Sequence, residues 1–155
     1  VALQGIKLSQ YRSYLGHSLK EEYPFEGTLL DNITFGNKDI PMEDVYWALE
    51  KVSLTEFVKE QPQGLKTILY PEGKKIPDFI SKKIVLARSI VTRPKLMILK
   101  DPLEQYDEEG TDKMIEFLTD PANGWALVVV SENPKWASRC NQIIRMEKGR
   151  LINVK

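Results

Sequence analysis

Apolar positions in this chain switch between two spacings, and the switch outlines its elements. In "PMEDVYWALEKVS", Val45, Leu49 and Val52 recur at helical spacing with Ala48 beside them, and Glu43 and Asp44 occupy the first turn, where a helix favours negative charge. A short helix is predicted in "LTEFVKEQ". The following run, "PQGLKTILYPEGKKIPD", holds three Pro and two Gly and reads as a breaker-rich linker. "FISKKIVLARSIVTR" sets Ile80, Ile84, Ala87 and Val91 on one helical face and stops before Pro94. "KLMIL" reads as a short buried strand, and a helix from about Glu108 to Leu118 turns Ile115 and Leu118 inward. "WALVVV" is apolar throughout, which predicts a parallel strand beside "KLMIL" with both of its faces covered. "NPKWASRC" reads as a short helix, and "QIIRMEKGRLINV" as a hairpin turning at Lys148-Gly149. Strands alternate with helices only after residue 94, whereas the chain before residue 78 is mainly helical. That asymmetry predicts an α/β fold: a helical subdomain and linker over residues 28–77, and a β/α core with a closing hairpin over residues 78–155.

Composition changes this picture little. The 155 residues fit one domain, with 42% hydrophobic and 28% charged residues. Lys plus Arg (22) balances Asp plus Glu (22), which argues against a general nucleic-acid or membrane-surface binder. One cysteine, Cys140, excludes an internal disulfide and a Cys-rich metal site and favours a reducing compartment. One histidine, His17, disfavours a histidine-based metal cluster or triad. No apolar run approaches the ~20 residues of a membrane span. The opening "VALQG" has no initiator Met, so a piece of something longer is expected.

Three separated blocks then resemble the ATPase domain of ATP-binding-cassette (ABC) transporters, especially the exporter type. "PFEGTLLDNITFG" is similar to the segment after the glutamine loop, "SKKIVLARSIVTRPKLMIL" to the helix after the signature motif running into the Walker B strand, and "VVVSENPKWASRCNQIIRMEKGRL" to the histidine-loop strand, its helix and the closing hairpin. The similarity covers about residues 3 to 153 in the family's order and spacing. It implies a P-loop-NTPase-like core of parallel strands flanked by helices, here lacking the N-terminal Walker A half. In the family the cofactors are ATP and Mg²⁺, and the partners are a transmembrane domain and a second ATPase domain. The implied location is the cytoplasmic face of a membrane, as a peripheral part of a larger transporter.

Set against that pattern, the chemical positions depart one after another. No Gly-x-x-x-x-Gly-Lys-[Ser/Thr] stretch exists in these residues; "GLKT" and "GKK" lack its spacing and follow no buried strand. Where the family's Walker B strand ends Asp-Glu-Pro, this sequence has Lys100, Asp101 and Pro102. An ammonium repels Mg²⁺ and offers it no acceptor, while Asp101 keeps a carboxylate one methylene shorter. A plain structural alternative pairs Lys100 with Asp101 or Glu132 at the strand end. The signature positions are Ile76, Pro77, Asp78, Phe79 and Ile80 in place of Leu-Ser-Gly-Gly-Gln. Pro77 removes an amide, Asp78 puts negative charge where phosphate would sit, and Phe79 blocks close backbone approach. As structure, Asp78 would serve as an N-cap, with Phe79 and Ile80 in the core. The loop glutamine aligns with Lys20 and the loop histidine with Glu132, while Asp107 matches the acid closing the D-loop.

The apolar pattern persists where the chemistry fails. The expected function is therefore a non-hydrolysing, degenerate ABC-exporter nucleotide-binding domain with a structural or regulatory role beside a membrane transporter. No catalytic residue, metal site or bound cofactor is expected in the isolated chain. The alternative is the carboxyl-terminal half of a working ATPase domain whose Walker A lies upstream. A third reading is a soluble scaffold that uses the fold only for protein contacts. A groove beside Tyr23, Phe25 and Leu29 is expected to dock a short helix of a membrane-spanning partner, unless these residues only complete the local core.

Overall fold

The computed structural model describes residues 8–19, 21–104 and 106–154. In chain order the elements are α1 (Leu8–Ser13), β1 (Leu15–Ser18), β2 (Gly27–Thr28), α2 (Leu29–Thr34), α3 (Met42–Lys51), α4 (Thr55–Glu60), β3 (Ile68–Leu69), α5 (Asp78–Ile90), β4 (Leu96–Lys100), α6 (Glu108–Thr119), β5 (Ala126–Val130), β6 (Ile144–Glu147) and β7 (Arg150–Val154). Strands β1, β4 and β5 form a parallel sheet in that order, with Leu15 opposite Leu96 and Leu96 opposite Ala126. The mainly helical stretch between β1 and α5 is thus an insertion into an α/β core. Its helices α2 and α3 pack on α5.

Helical spacing resolves as expected. Val45, Ala48, Leu49 and Val52 of the α3 region are buried, as are Ile80, Ile84, Ala87 and Val91 along α5 and Ile115 and Leu118 of α6. They join Met97 and Leu99 of β4 in a single core. The closing hairpin turns at Lys148-Gly149, both with positive φ (47° and 75°), the backbone twist that matches paired strands.

Four local expectations are corrected. The breaker-rich run is not only linker: Ile68–Leu69 pairs antiparallel with Gly27–Thr28. Asp78 is not the N-cap; Pro77 holds that place with no side-chain cap, because its fixed φ (−58°) already suits a helix entry, and Asp78 becomes the first-turn acid. Phe79 is not core but 44% exposed, since it points away from the face that buries Ile80 and Ile84. Strand β5 is not covered on both faces. It forms the edge of the sheet, with Val128 and Val130 51% and 58% exposed. The reason is visible in the register. Met97 and Leu99 face the helices, while Ile98 and Lys100, opposite Val128 and Val130, share the other face, which no described helix covers.

Candidate functional site

The carboxyl ends of β4 and β5 open on one cleft, as in other open α/β sheets. It has a volume of about 310 Å³ and is lined by Asp101, Leu103, Glu104, Ser131, Glu132, Asn133 and Trp136. Asp101 closes β4 with its amide donating to the Val130 carbonyl at 2.9 Å and its backbone in the left-handed region (φ 43°), which Asp tolerates better than most residues. The fold thus brings two of the sequence-predicted positions, Asp101 and Glu132, to one place. Lys100 is not in the lining. Strand alternation turns it onto the open face beside Val130, where it is exposed. Among the described residues it makes no ion pair, so the expected pairing with Asp101 or Glu132 is absent. Lys20 lies outside the described residues.

The signature positions sit elsewhere, at the start of α5. Pro77 presents no amide, the Asp78 carboxylate occupies the first turn, and the exposed Phe79 ring stands beside it. Ile76 is half-buried and Ile80 buried. Asp107 caps α6: its carboxylate accepts from the Gly110 amide at 2.7 Å. His17 lies in β1 with Nδ1 2.8 Å from Glu22 Oε1, away from the cleft.

Magnesium and a nucleotide triphosphate do not fit these residues. The described lining of the cleft carries the carboxylates of Asp101, Glu104 and Glu132, a charge that opposes phosphate there. Among the described residues no three His, Cys, Asp or Glu side chains are grouped to hold a metal ion. The start of α5 sets a proline, an acid and a bulky ring where a helix terminus that receives an anion presents free amides.

The expected partner groove is also reshaped. Leu29 is fully buried and cannot line a surface; it belongs to the core with Ile33. Thr28 and Asp31 form the capping box of α2, with the Asp31 amide 2.9 Å from Thr28 Oγ1. Phe25 stacks on Phe35 with centroids 5.7 Å apart, and the Arg88 guanidinium lies over both rings at 5.4 and 4.6 Å. Tyr23 remains exposed, with Lys82 over its ring.

Sequence reasoning missed the group that organises this corner. Asn32, fully buried, accepts from the Phe25 amide (2.9 Å) and Arg88 Nη2 (3.0 Å) at Oδ1, and donates through Nδ2 to the Phe25 (2.9 Å) and Thr28 (3.1 Å) carbonyls. Arg88 Nε donates to the Asn32 carbonyl at 2.7 Å. Burial pushes the Arg88 pKa down, and the attraction of Glu22 partly opposes it. The sequence marked Asn32 as one of the positions that "PFEGTLLDNITFG" shares with the pattern it resembles, but not as a hydrogen-bonding centre.

The described residues thus form an α/β fold, a three-stranded parallel sheet flanked by helices. No protein-family model matches the chain. Its relatives include an uncharacterized ABC transporter ATP-binding protein of Bacillus subtilis, 27% identical over 144 residues, which cover 93% of this chain and 25% of that protein. Another is a probable ABC transporter ATP-binding/permease protein of Haemophilus influenzae, 24% identical over 149 residues, 96% of this chain and 27% of that protein. Among solved structures, a bacterial Atm1-family ABC exporter with ATP bound superposes with a TM-score of 0.87 at 18% identity, over 98% of this chain and 27% of the exporter. By sequence the chain is similar to ABC transporter ATP-binding and permease proteins, and its fold is one found within an ABC exporter. It spans about a quarter of the length of these relatives. No helix among the described residues is long and apolar enough to cross a membrane.

Proposed function

We propose that this chain is a partial ABC-exporter ATPase domain whose hydrolytic chemistry is lost, serving a structural or regulatory role beside a membrane domain. Residues 28–77 form its helical subdomain and linker, and residues 78–155 its β/α core and hairpin. The observation that carries this reading is the cleft at the ends of β4 and β5, where Asp101 and Glu132 share the described lining while Lys100 turns away from it. The start of α5 agrees, because Asp78 and Phe79 stand where an anion would need free amides. Calorimetry of the chain with ATP and magnesium is expected to detect no micromolar binding. Lys100→Asp alone is expected to release no phosphate, since phosphoryl transfer needs positioned phosphates as well as a metal. Micromolar binding, or turnover by that variant, overturns the reading.

A second reading is favoured by the open edge of β5. The exposed Val128 and Val130 side chains on one sheet face, beside a strand edge unpaired among the described residues, are the surface on which more of an ATPase core would seat. On that reading the chain is the carboxyl-terminal half of an ATP-hydrolysing domain. A phosphate-binding Gly-x-x-x-x-Gly-Lys-[Ser/Thr] stretch elsewhere in the polypeptide separates the two.

The partner surface proposed for a membrane-domain helix is narrower than the sequence suggested: Tyr23, the half-buried Phe25 and the exposed Phe35 ring, with Leu29 left in the core. Phe25→Asp is expected to abolish co-purification with the transporter's membrane domain while leaving the melting transition cooperative. Normal co-purification of a folded variant leaves Phe25 a purely local packing residue.

A further inference from the structure

A second cleft, of about 550 Å³, opens where the end of α3 meets the starts of α5 and α6, away from the ends of β4 and β5. Lys51 and Ser53 line it from the α3 side, Phe79 and Lys83 from α5, and Tyr106 from the turn before α6. Two of its ammonium groups have no carboxylate within ion-pair distance among the described residues. Lys83 Nζ donates to the Ser53 carbonyl at 3.3 Å and lies 5.8 and 5.2 Å from the ring centroids of Phe79 and Tyr106. Lys51 Nζ rests 5.6 Å from the Phe117 centroid. The third, Lys113, is already paired with Glu109 at 2.6 Å, and Asp107 has its carboxylate on the Gly110 amide.

Burial lowers the pKa of Lys83, and the attraction of Asp107 only partly opposes that, so this ammonium is short of solvation. The Tyr106 hydroxyl is buried with no hydrogen-bond partner, a condition that ordinarily signals a missing polar neighbour. Burial raises its pKa, which keeps it a neutral donor. Three lysines against two acids leave one positive charge in excess in the lining, enough for a monoanion but not for a dianion. The exposed Phe79 ring and the buried Met114 side chain add an apolar wall.

We propose that this cleft binds a small organic monoanion, a carboxylate on an aromatic or apolar body, with Lys51 and Lys83 on the carboxylate and Phe79 against the body. The volume suits a ligand of that size. Because Lys51 and Ser53 belong to the helical subdomain and Lys83 and Tyr106 to the core side, such a ligand would hold the two together. The inference does not depend on whether the chain hydrolyses ATP.

The test is calorimetric titration of the full chain at low ionic strength with 3-phenylpropionate, alongside inorganic phosphate and phenethylamine. Saturable binding of 3-phenylpropionate is expected, weakened at least about fivefold by Lys51→Gln and by Lys83→Gln, with no heat from phenethylamine. Should Lys83→Gln lower the melting temperature so far that the variant is not folded, Lys51→Gln at the end of α3 decides alone. Absence of saturation by about 10 mM, equal binding of the amine, or unchanged affinity in the folded lysine variants overturns the proposal. Phosphate binding as tightly as the organic acid overturns it too, because the apolar wall would then contribute nothing.

Discussion

Gly16→Ala is expected to lower the stability of this domain by about 3 kcal/mol, a fall in melting temperature of about 6–12 °C. The glycine sits in β1 where the sheet lies directly against α5. A Cβ there would overlap the Ser89 carbonyl oxygen, stand 2.5 Å from Met97 Sδ and reach 2.9 Å from Pro94 Cγ. The first of these is helix backbone and cannot rotate aside, so either β1 leaves its register with β4 or α5 shifts off the sheet. Gly36→Ala supplies the contrast. A Cβ at that position meets nothing within 4 Å, and only its positive φ (69°) opposes the change, a cost of about 1 kcal/mol. Denaturant unfolding of both variants checks the order. Equal losses would mean that the close approach of β1 to α5 is not what constrains Gly16.

Asn32→Ala is expected to cost about the same, about 3 kcal/mol, through unmade hydrogen bonds rather than overlap. The substitution strips four bonds at once and leaves the Phe25 amide, two carbonyls and one arm of Arg88 without their partner in a buried corner. Arg88 suffers most, because its desolvated guanidinium keeps, as a hydrogen-bond acceptor among the described residues, only the Asn32 backbone carbonyl. Asn32→Asp should fall between the variants. Its carboxylate still accepts from Phe25 and Arg88, but it cannot donate to the Phe25 and Thr28 carbonyls. Thermal melts give the ranking, and amide exchange at Phe25 gives the cause: that proton should exchange faster in the Ala variant and stay protected in the Asp variant. Full protection in Asn32→Ala would show that Phe25 is held by something other than this side chain.

Periodicity was enough to outline most of the elements, because helices and strands bury apolar residues at their own spacing. Val45, Leu49 and Val52, and Ile80, Ile84 and Ala87, marked their buried faces before any tertiary contact was known. The Lys148-Gly149 turn and the stop before Pro94 were equally legible, being set by the local backbone. Residue chemistry at Lys100, Pro77 and Asp78 is likewise what the proposed loss of nucleotide chemistry starts from.

Tertiary structure decided what periodicity cannot express. An apolar run such as "WALVVV" says that a strand would prefer burial, not that anything is present to bury it, and only the sheet order put Val128 and Val130 at an open edge. Charge in the sequence did not say where it would point. Strand alternation turned Lys100 from Asp101, while the meeting of three helices left Lys51 and Lys83 unpaired around one cleft. Asn32 and Gly16 are the clearest cases. Asn32 joins its near neighbours Phe25 and Thr28 to Arg88, and Gly16 lies against Ser89 and Met97; Arg88, Ser89 and Met97 are more than fifty residues away in sequence, and no local pattern encodes a contact made across that distance.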